Sequence, residues 1–155
     1  MRPRFWEDIP LHQLTPDEWE ALCDGCGRCC LLKLEDEDTG ELFFTNVACR
    51  LLDTERGGCR DYADRVRQVP GCLVIRADDP EILDQLPDTC AYRLRAEGRS
   101  LPAWHPLVSG DADTVKVAGI SVVGRVIDET WVHPEQLPEQ IIDWVRPAPR
   151  RKTPA

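Results

Sequence analysis

The fold of this chain is decided by one short stretch of sequence, Cys23-Asp24-Gly25-Cys26-Gly27-Arg28-Cys29-Cys30. It places four thiols within eight residues. Cysteines separated by two residues can converge on one metal, because a tight turn points both sulfurs inward. Gly25 and Gly27 give the backbone the freedom that such a turn needs. The stretch is therefore the first candidate for a metal site around which the rest of the chain is organised.

Eight cysteines occur in the chain, and three interpretations of them compete. A disulfide framework requires export, and residues 1–8 lack the apolar segment of a secretory signal. Reduced buried thiols could account for Cys49 or Cys90 singly, but they do not explain the cluster of four. Ligation of a metal ion or an iron–sulfur cluster explains the pattern, because thiolates are soft ligands that suit zinc and iron. The predicted metal ligands are Cys23, Cys26, Cys29, Cys30, Cys49, Cys59, Cys72 and Cys90.

The adjacent pair Cys29 and Cys30 carries a geometric expectation. In an extended or looped backbone neighbouring side chains diverge, so the two thiols are not expected to bind one ion together. If the segment is helical, Cys30 shares a face with Cys23 and Cys26. If it is a glycine loop, Cys29 converges with them instead. Both alternatives stay open, and either leaves one cysteine of the pair for a second site or for the core.

The identity of the metal is open between zinc and iron. Structural zinc sites usually show two separate short cysteine pairs, whereas this chain has one clustered region. Three cysteines at a repeated spacing of two residues are typical of the start of a bacterial ferredoxin motif, although here the next cysteine is adjacent instead of four residues on. The spacing favours an iron–sulfur cluster over zinc.

Length and composition limit the class of protein. The chain has 155 residues, of which 42% are hydrophobic and 30% charged, as expected for one globular domain. It has 19 Lys and Arg against 28 Asp and Glu, and the formal net charge of -9 argues against nucleic acid or an anionic membrane as partner. No apolar run approaches the roughly 18 residues of a membrane span. We predict a cytoplasmic protein with a single domain over residues 1–146 and a disordered tail over 147–155.

Local patterns predict an α+β fold with about four short helices and a small antiparallel sheet. Thr15, Pro16 and Glu18 form a capping-box pattern at the start of a helix over 15–23. An acidic turn at 35–40 between two apolar runs indicates a β-hairpin. The other predicted elements are a short helix or turn at 60–69, a strand at 72–75, helices at 79–86, from 88 or 89 to 98 and at 138–145, and one or two strands within 115–126.

Outside the cysteines the chain carries little catalytic signal. His105 is either a further ligand or proton carrier, or a histidine that is hydrogen-bonded within a turn. If the protein is an enzyme, a pocket is expected around His105 and residues 109–111. Four further side chains are predicted beside the metal centre, because they follow Cys59 or Cys90 closely and could bond sulfurs or neighbouring carboxylates: Tyr62, Arg65, Tyr92 and Arg93.

The chain resembles the YcgN-like cysteine-cluster family of bacteria, part of a wider group of CxxCxxCC proteins named for an expected chelation of zinc or iron. The resemblance spans Phe5 to about Trp144, and Lys116 departs from it where a histidine is expected. The matching stretches are 18–20, 22–30, 33–36, 45–53, 86–94, 104–107 and 109–111, together with Cys59, Tyr62, Arg65 and Cys72.

The resemblance implies metal binding but no particular reaction. Three functions are therefore carried forward as hypotheses. The first is a structural, redox or metal-sensing protein with a cysteine-ligated centre. The second is a cluster-containing enzyme that acts on a protein or a small molecule, and the third is a metal-trafficking protein.

Overall fold

A computed structural model describes residues 1–147, so residues 148–155 of the predicted tail lie outside the described part. The α+β prediction is confirmed, because the chain forms short helices and one small sheet. The α-helices are α1 (Phe5–Asp8), α2 (Pro16–Ala21), α3 (Arg65–Gln68), α4 (Pro80–Leu83), α5 (Ala91–Ala96), α6 (Pro106–Ser109) and α7 (Thr114–Val117). The strands are β1 (Leu31–Glu35), β2 (Leu42–Ala48) and β3 (Ile127–Asp128), and 3-10 helices cover Leu11–Gln13, Arg28–Cys30, Glu129–Trp131 and Pro134–Gln140.

The sheet has the order β1-β2-β3. β1 and β2 form the predicted antiparallel hairpin, with a register shift between Leu31 and Lys33. The turn that joins them is closed by Asp36, whose Oδ1 accepts hydrogen bonds from the backbone amides of Asp38 and Thr39. The two-residue strand β3 pairs parallel to β2, so the sheet is mixed and not purely antiparallel.

The contacts divide the described residues into two compact units. The first unit comprises residues 1–24 and 75–120, and it is helical. Its buried side chains include Phe5, Leu22, Leu83 and Leu86. Arg93 is also buried there, where it forms ion pairs with two carboxylates and donates to the carbonyl of Leu83.

The second unit comprises residues 25–74 and 121–147 and contains the whole sheet. Its core is small and consists of Leu31, Phe44, Ala48, Leu52, Val122 and Val145. All but the last two come from the hairpin and the turn that follows it. The single domain predicted for residues 1–146 stays a prediction. The contacts divide these residues into the two units described above.

The predicted start of the helix at Thr15 is confirmed. The Thr15 side chain accepts from the amide of Glu18, and the Glu18 carboxylate accepts from the amide of Thr15, which is a complete capping box. The helix at 79–86 is shorter than predicted, since α4 ends at Leu83, and Asp79 caps it. α5 begins later than predicted, because Cys90 and not residue 88 or 89 occupies the N-cap.

Three predicted elements are wrong. Residues 72–75 form no strand, because the amide of Cys72 bonds to Val69 in a turn after α3. The stretch 115–126 contains part of α7 and then a loop, in which the amide of Val122 donates to Cys26 and not to a neighbouring strand. Residues 138–145 form no α-helix, since a 3-10 helix capped by His133 ends at Gln140 and Ile141 then pairs with Thr45.

Candidate metal centre

The second half of the cysteine motif folds as one tight turn. Gly27 has a φ of 79° and begins the 3-10 helix Arg28–Cys30. Inside this turn the amide of Arg28 points at Cys26 Sγ at 3.5 Å. The carbonyl of Cys26 accepts from the amide of Val122 at 2.9 Å, which attaches the turn to the core of the second unit. The positive φ of Gly27 therefore permits the tight turn that the sequence predicted.

The second unit brings five of its cysteines into one group, which we call the thiol cluster: Cys29, Cys30, Cys49, Cys59 and Cys72. Cys30 is its centre, because its thiol hydrogen-bonds with that of Cys29 and interacts electrostatically with those of Cys49 and Cys72. Cys72 in turn lies within electrostatic range of Cys29 and Cys59. The structure thus gathers thiols that are up to 43 positions apart in the sequence, from Cys29 to Cys72.

Backbone hydrogen bonds fix the position of the cluster. The amide of Cys49 donates to the carbonyl of Cys30 at 2.8 Å, so the end of β2 is held against the cysteine turn. Cys59 forms an isolated bridge with Leu52, and the amide of Arg60 beside it donates to Leu51. These contacts belong to the hairpin and the loop after it, so the small core and the cluster are stabilised by the same elements.

The adjacent cysteines do not diverge, and this expectation is wrong. It assumed an extended, looped or α-helical backbone, whereas Cys29 and Cys30 lie in a 3-10 turn that brings their thiols into a hydrogen bond. The two thiols therefore lie together, and the expectation that they do not bind one ion together stays a prediction.

The pKa is raised for three thiols of the cluster, Cys30, Cys49 and Cys72. The hydrogen bond with Cys29, together with burial, holds the pKa of Cys30 far above its usual range. Burial raises the pKa of Cys49, and the nearby Glu129 carboxylate adds to the effect. Burial also raises the pKa of Cys72, against which Arg65 acts as an opposing cation. Several thiolates close together repel one another, so the cluster favours neutral thiols until a cation compensates their charge.

Cationic side chains border the cluster. Lys33 on β1 interacts electrostatically with Cys29 and Cys30, while burial lowers the pKa of its ammonium group. Arg65 hydrogen-bonds with Cys72 and stacks on the Tyr62 ring at 3.9 Å. Arg65 therefore lies beside one of the cysteines, while its role beside a metal stays a prediction. Lys33 was missed as a neighbour of the site, because its position depends on the pairing of β1 with β2.

The chemistry of the donors fits a thiophilic metal, but the thiols are not arranged as a finished single-ion site. Among residues 1–147, no group of three or more His, Cys, Asp or Glu side chains is placed to hold one metal ion. A tetrahedral zinc with Zn–S bonds of about 2.3 Å requires sulfurs about 3.8 Å apart. The thiols of the cluster therefore interact with one another, but they do not surround a single point at metal-binding distance.

Three predicted ligands are not assigned to the thiol cluster. Cys26 is buried in the turn that precedes it. Cys23 and Cys90 belong to the first unit, where Cys23 is exposed and Cys90 is partly exposed at the N-cap of α5. Their role as ligands stays a prediction from the sequence.

His105 is bonded within a turn, the simpler of the two alternatives. Its side chain is fully buried, its Nδ1 accepts from the amide of Leu107, and its Nε2 lies 2.8 Å from the carbonyl of Leu22. A neutral ring with the proton on Nε2 satisfies both contacts. Both ring nitrogens are thus occupied by the backbone, which leaves no lone pair for a metal.

Tyr92 and Arg93 also have defined partners within the first unit. The Tyr92 hydroxyl donates to the carbonyl of Trp19 at 2.6 Å. Arg93 binds the carboxylates of Asp84 and Glu97. The predicted position of Tyr92 and Arg93 beside a metal centre stays a prediction.

A stacked arrangement of two arginines on Trp144 was not predicted. Arg125 lies 3.7 Å and Arg28 lies 5.7 Å from the ring centroid, and Arg28 is buried although it belongs to the cysteine motif. No local signal could have found it, because 116 positions separate Arg28 from Trp144. The stack connects the motif to the last described segment of the second unit.

Comparison with known proteins places these features in a family. Residues 22–91, which include all eight cysteines, match a family model described as "Putative zinc- or iron-chelating domain". No solved structure matches the chain. Within residues 1–147, none of the helices has the length and apolar character needed to span a bilayer.

Bacterial relatives match over nearly the whole chain. A UPF0260 protein of Parvibaculum lavamentivorans is 52% identical over 140 residues, which cover 90% of this chain and 92% of the relative. One from Marinobacter nauticus is 53% identical and covers 91% and 95%, and one from Granulibacter bethesdensis is 53% identical and covers 97% and 89%. At this identity and coverage, the chain belongs to the UPF0260 family.

Proposed function

We propose that this protein binds a zinc or iron centre through the thiolates of the thiol cluster, and that it does so in the reducing environment of the cytoplasm. The observation that carries the proposal is the position of Cys30, whose thiol interacts with three other cysteines of the second unit. Cys23, Cys26 and Cys90 are proposed as further ligands on the strength of the sequence pattern alone.

Electrostatics supports a cationic occupant of the cluster. Ionisation of Cys30 is disfavoured by its hydrogen bond with Cys29, by burial and by the charge that neighbouring thiolates would carry. A divalent metal or a cluster iron removes this barrier to ionisation, since its positive charge favours deprotonation of the thiol ligands and compensates the charge of the thiolates. The cations Lys33, Arg50 and Arg65 then offset the negative charge that an excess of thiolates leaves.

The sequence pattern favours an iron–sulfur cluster over a single zinc ion. Three cysteines at a repeated spacing of two residues are typical of the start of a bacterial ferredoxin motif, whereas structural zinc sites usually show two separate short cysteine pairs. Such a centre would stabilise the hairpin unit and could carry electrons or sense metal.

No described feature favours the enzyme hypothesis. The candidate pocket residue His105 is fully buried and bonded to the backbone at both nitrogens. Ser109 bonds to Thr114 and to the backbone of Asp111, so it serves the turn between α6 and α7. Metal trafficking has one supporting observation, which is the exposed thiol of Cys23 within the motif.

The test is anaerobic purification followed by metal analysis, acid-labile sulfide analysis and an absorption spectrum. We expect bound iron with sulfide and visible absorption, and Cys30→Ser and Cys72→Ser should lose most of the metal. Asp38→Asn is the matched control, because it removes an exposed ligand-type side chain from the hairpin turn without touching a thiol. Full metal content in both cysteine variants would contradict the proposal, and a colourless protein with stoichiometric zinc would decide for zinc.

A further inference from the structure

An apolar face remains exposed at one edge of the sheet in the second unit. It consists of Ile127, Trp131 and Ile141, which are 41%, 83% and 43% exposed, and we call it the Trp131 face. Such large apolar side chains, when grouped and exposed, commonly mark a protein interaction site. Tryptophan is also among the residues that contribute most to binding energy at interfaces.

The pairing of strands places the two isoleucines on the same edge of β2, and Trp131 follows β3 directly in the chain. β1 occupies one edge of β2, so β3 and Ile141 share the other edge. There Ile127 pairs with Val47, and Ile141 pairs with Thr45, two residues away along β2. This spacing corresponds to about 7 Å along the strand. The two isoleucines therefore form one continuous strip of edge.

Trp131 is held in place although its side chain is exposed. It ends the 3-10 helix Glu129–Trp131, which Asp128 caps by accepting from the amide and the hydroxyl of Thr130. Glu129 accepts from the amide of Arg50 at 2.8 Å and forms an ion pair with its guanidinium. Since Arg50 follows Cys49, the Trp131 face is anchored directly beside the thiol cluster.

The segment that carries this face is acidic, although Arg50 lies beside it and pairs with Glu129. Residues 127–143 contain no lysine or arginine, and their carboxylates are Asp128, Glu129, Glu135, Glu139 and Asp143. The last three of these residues are exposed. An acidic surface repels nucleic acid and anionic lipid. It also disfavours a second copy of this chain, because the formal net charge of each copy is -9.

We propose that the Trp131 face docks a basic protein partner, whose surface offers an apolar pocket for the indole ring with lysine or arginine side chains around it. The apolar strip supplies the contact area, and the surrounding carboxylates select the sign of the partner's charge. Docking of this kind would bring the partner to the edge of the thiol cluster at Cys49. The binding itself does not depend on which metal the cluster holds.

The test uses two synthetic amphipathic peptides of equal length, one built from lysine and leucine and the other from glutamate and leucine. Binding is followed by the indole Nε1–H resonance of Trp131, which is assigned by its absence from the spectrum of Trp131→Ala. We expect the lysine peptide to shift this resonance and to bind more weakly as salt rises. Trp131→Ala should weaken binding at least about tenfold, and Glu135→Gln with Glu139→Gln should weaken it and reduce its salt dependence.

Matched variants keep the test decisive. Val117→Ala removes an apolar side chain that is 85% exposed in the first unit, and it should bind the lysine peptide like the wild type. Trp131→Phe keeps an aromatic anchor and should retain most of the affinity. Equal binding of the lysine peptide by Trp131→Ala, or equal binding of the glutamate peptide by the wild type, would overturn the proposal. So would a concentration-dependent dimer in sedimentation equilibrium that Trp131→Ala abolishes, because the occupant would then be a second copy.

Discussion

Gly27 is the residue at which the cysteine motif meets the core of the second unit. Its φ of 79° lies in the left-handed region, which side-chain-bearing residues avoid. A Cβ at this position would lie 2.7 Å from Cγ2 of Val122 and 3.4 Å from Cδ1 of Leu52. The glycine therefore serves two purposes, because it allows both the turn and the close approach of the core to it.

Gly27→Ala should destabilise the protein by about 2–5 kcal/mol, the sum of a left-handed backbone penalty of about 1–2 kcal/mol and an overpacking cost of about 1–3 kcal/mol. Gly25→Ala is the matched control, because Gly25 has a similar φ of 72° but a Cβ added there would meet no atom within 4 Å. It should lose only the backbone part. Chemical denaturation measures both free energies of unfolding, and equal losses in the two variants would contradict the packing argument.

At the scale of the element, the capping box of α2 is extended by an ion pair. The Glu18 carboxylate accepts from the amide of Thr15 and from the guanidinium and the amide of Arg2. These bonds, with that of the Arg2 side chain the largest, hold the pKa of Glu18 well below its usual range. A carboxylate whose pKa is lowered in the folded state stabilises that state when the pH is above about 4.3, the pKa of the carboxylate in the unfolded chain. This stabilisation is lost as the pH falls from there toward the lower pKa of the folded state.

Glu18→Gln should therefore be less stable than the wild type at pH 7, and the difference should shrink as the pH falls below about 4. The free energy of unfolding measured across this range checks the prediction. Glu20→Gln is the control, because it removes an exposed carboxylate from the same helix. If both variants show the same pH profile, the stabilisation does not come from the bonds of Glu18.

The elements that the sequence predicted well have their signals close together in the chain. The capping box spans Thr15 to Glu18, and the hairpin is recognisable from two apolar runs and one acidic turn. The elements that it predicted wrongly depend on distant partners. Val122 gives its amide to Cys26, and Ile141 pairs with Thr45, so neither segment adopts the structure that its own composition favours.

The same distinction applies to the candidate site. Two thiols of the cluster, Cys29 and Cys30, could be grouped from spacing alone, because they are neighbours in the sequence. The association of Cys30 with Cys49 and Cys72 requires the hairpin and the turn after α3 to be in place. The interaction of Lys33 with the cluster likewise follows from strand pairing, which no local pattern specifies.

At the scale of the whole molecule, the two units differ in what stabilises them. The second unit has a small core, drawn mainly from one hairpin, and it contains the thiol cluster. A structural zinc centre contributes on the order of 10–16 kcal/mol of apparent binding free energy, while a whole domain is stable by only about 5–15 kcal/mol. A metal centre in the cluster would therefore decide whether the second unit stays folded.

Removal of the metal by a chelator under reducing conditions should accordingly act unevenly along the chain. Amides of residues 25–74 and 121–147 should lose most of their protection from hydrogen exchange, because their core is too small to replace the thiolate–metal bonds. Amides of residues 1–24 and 75–120 should lose less, since their helical core is built from apolar side chains and the buried ion pairs of Arg93. Cys30→Ser without chelator should reproduce the pattern. Uniform loss over both units, or unchanged protection in the second, would show that the cluster does not stabilise the hairpin unit.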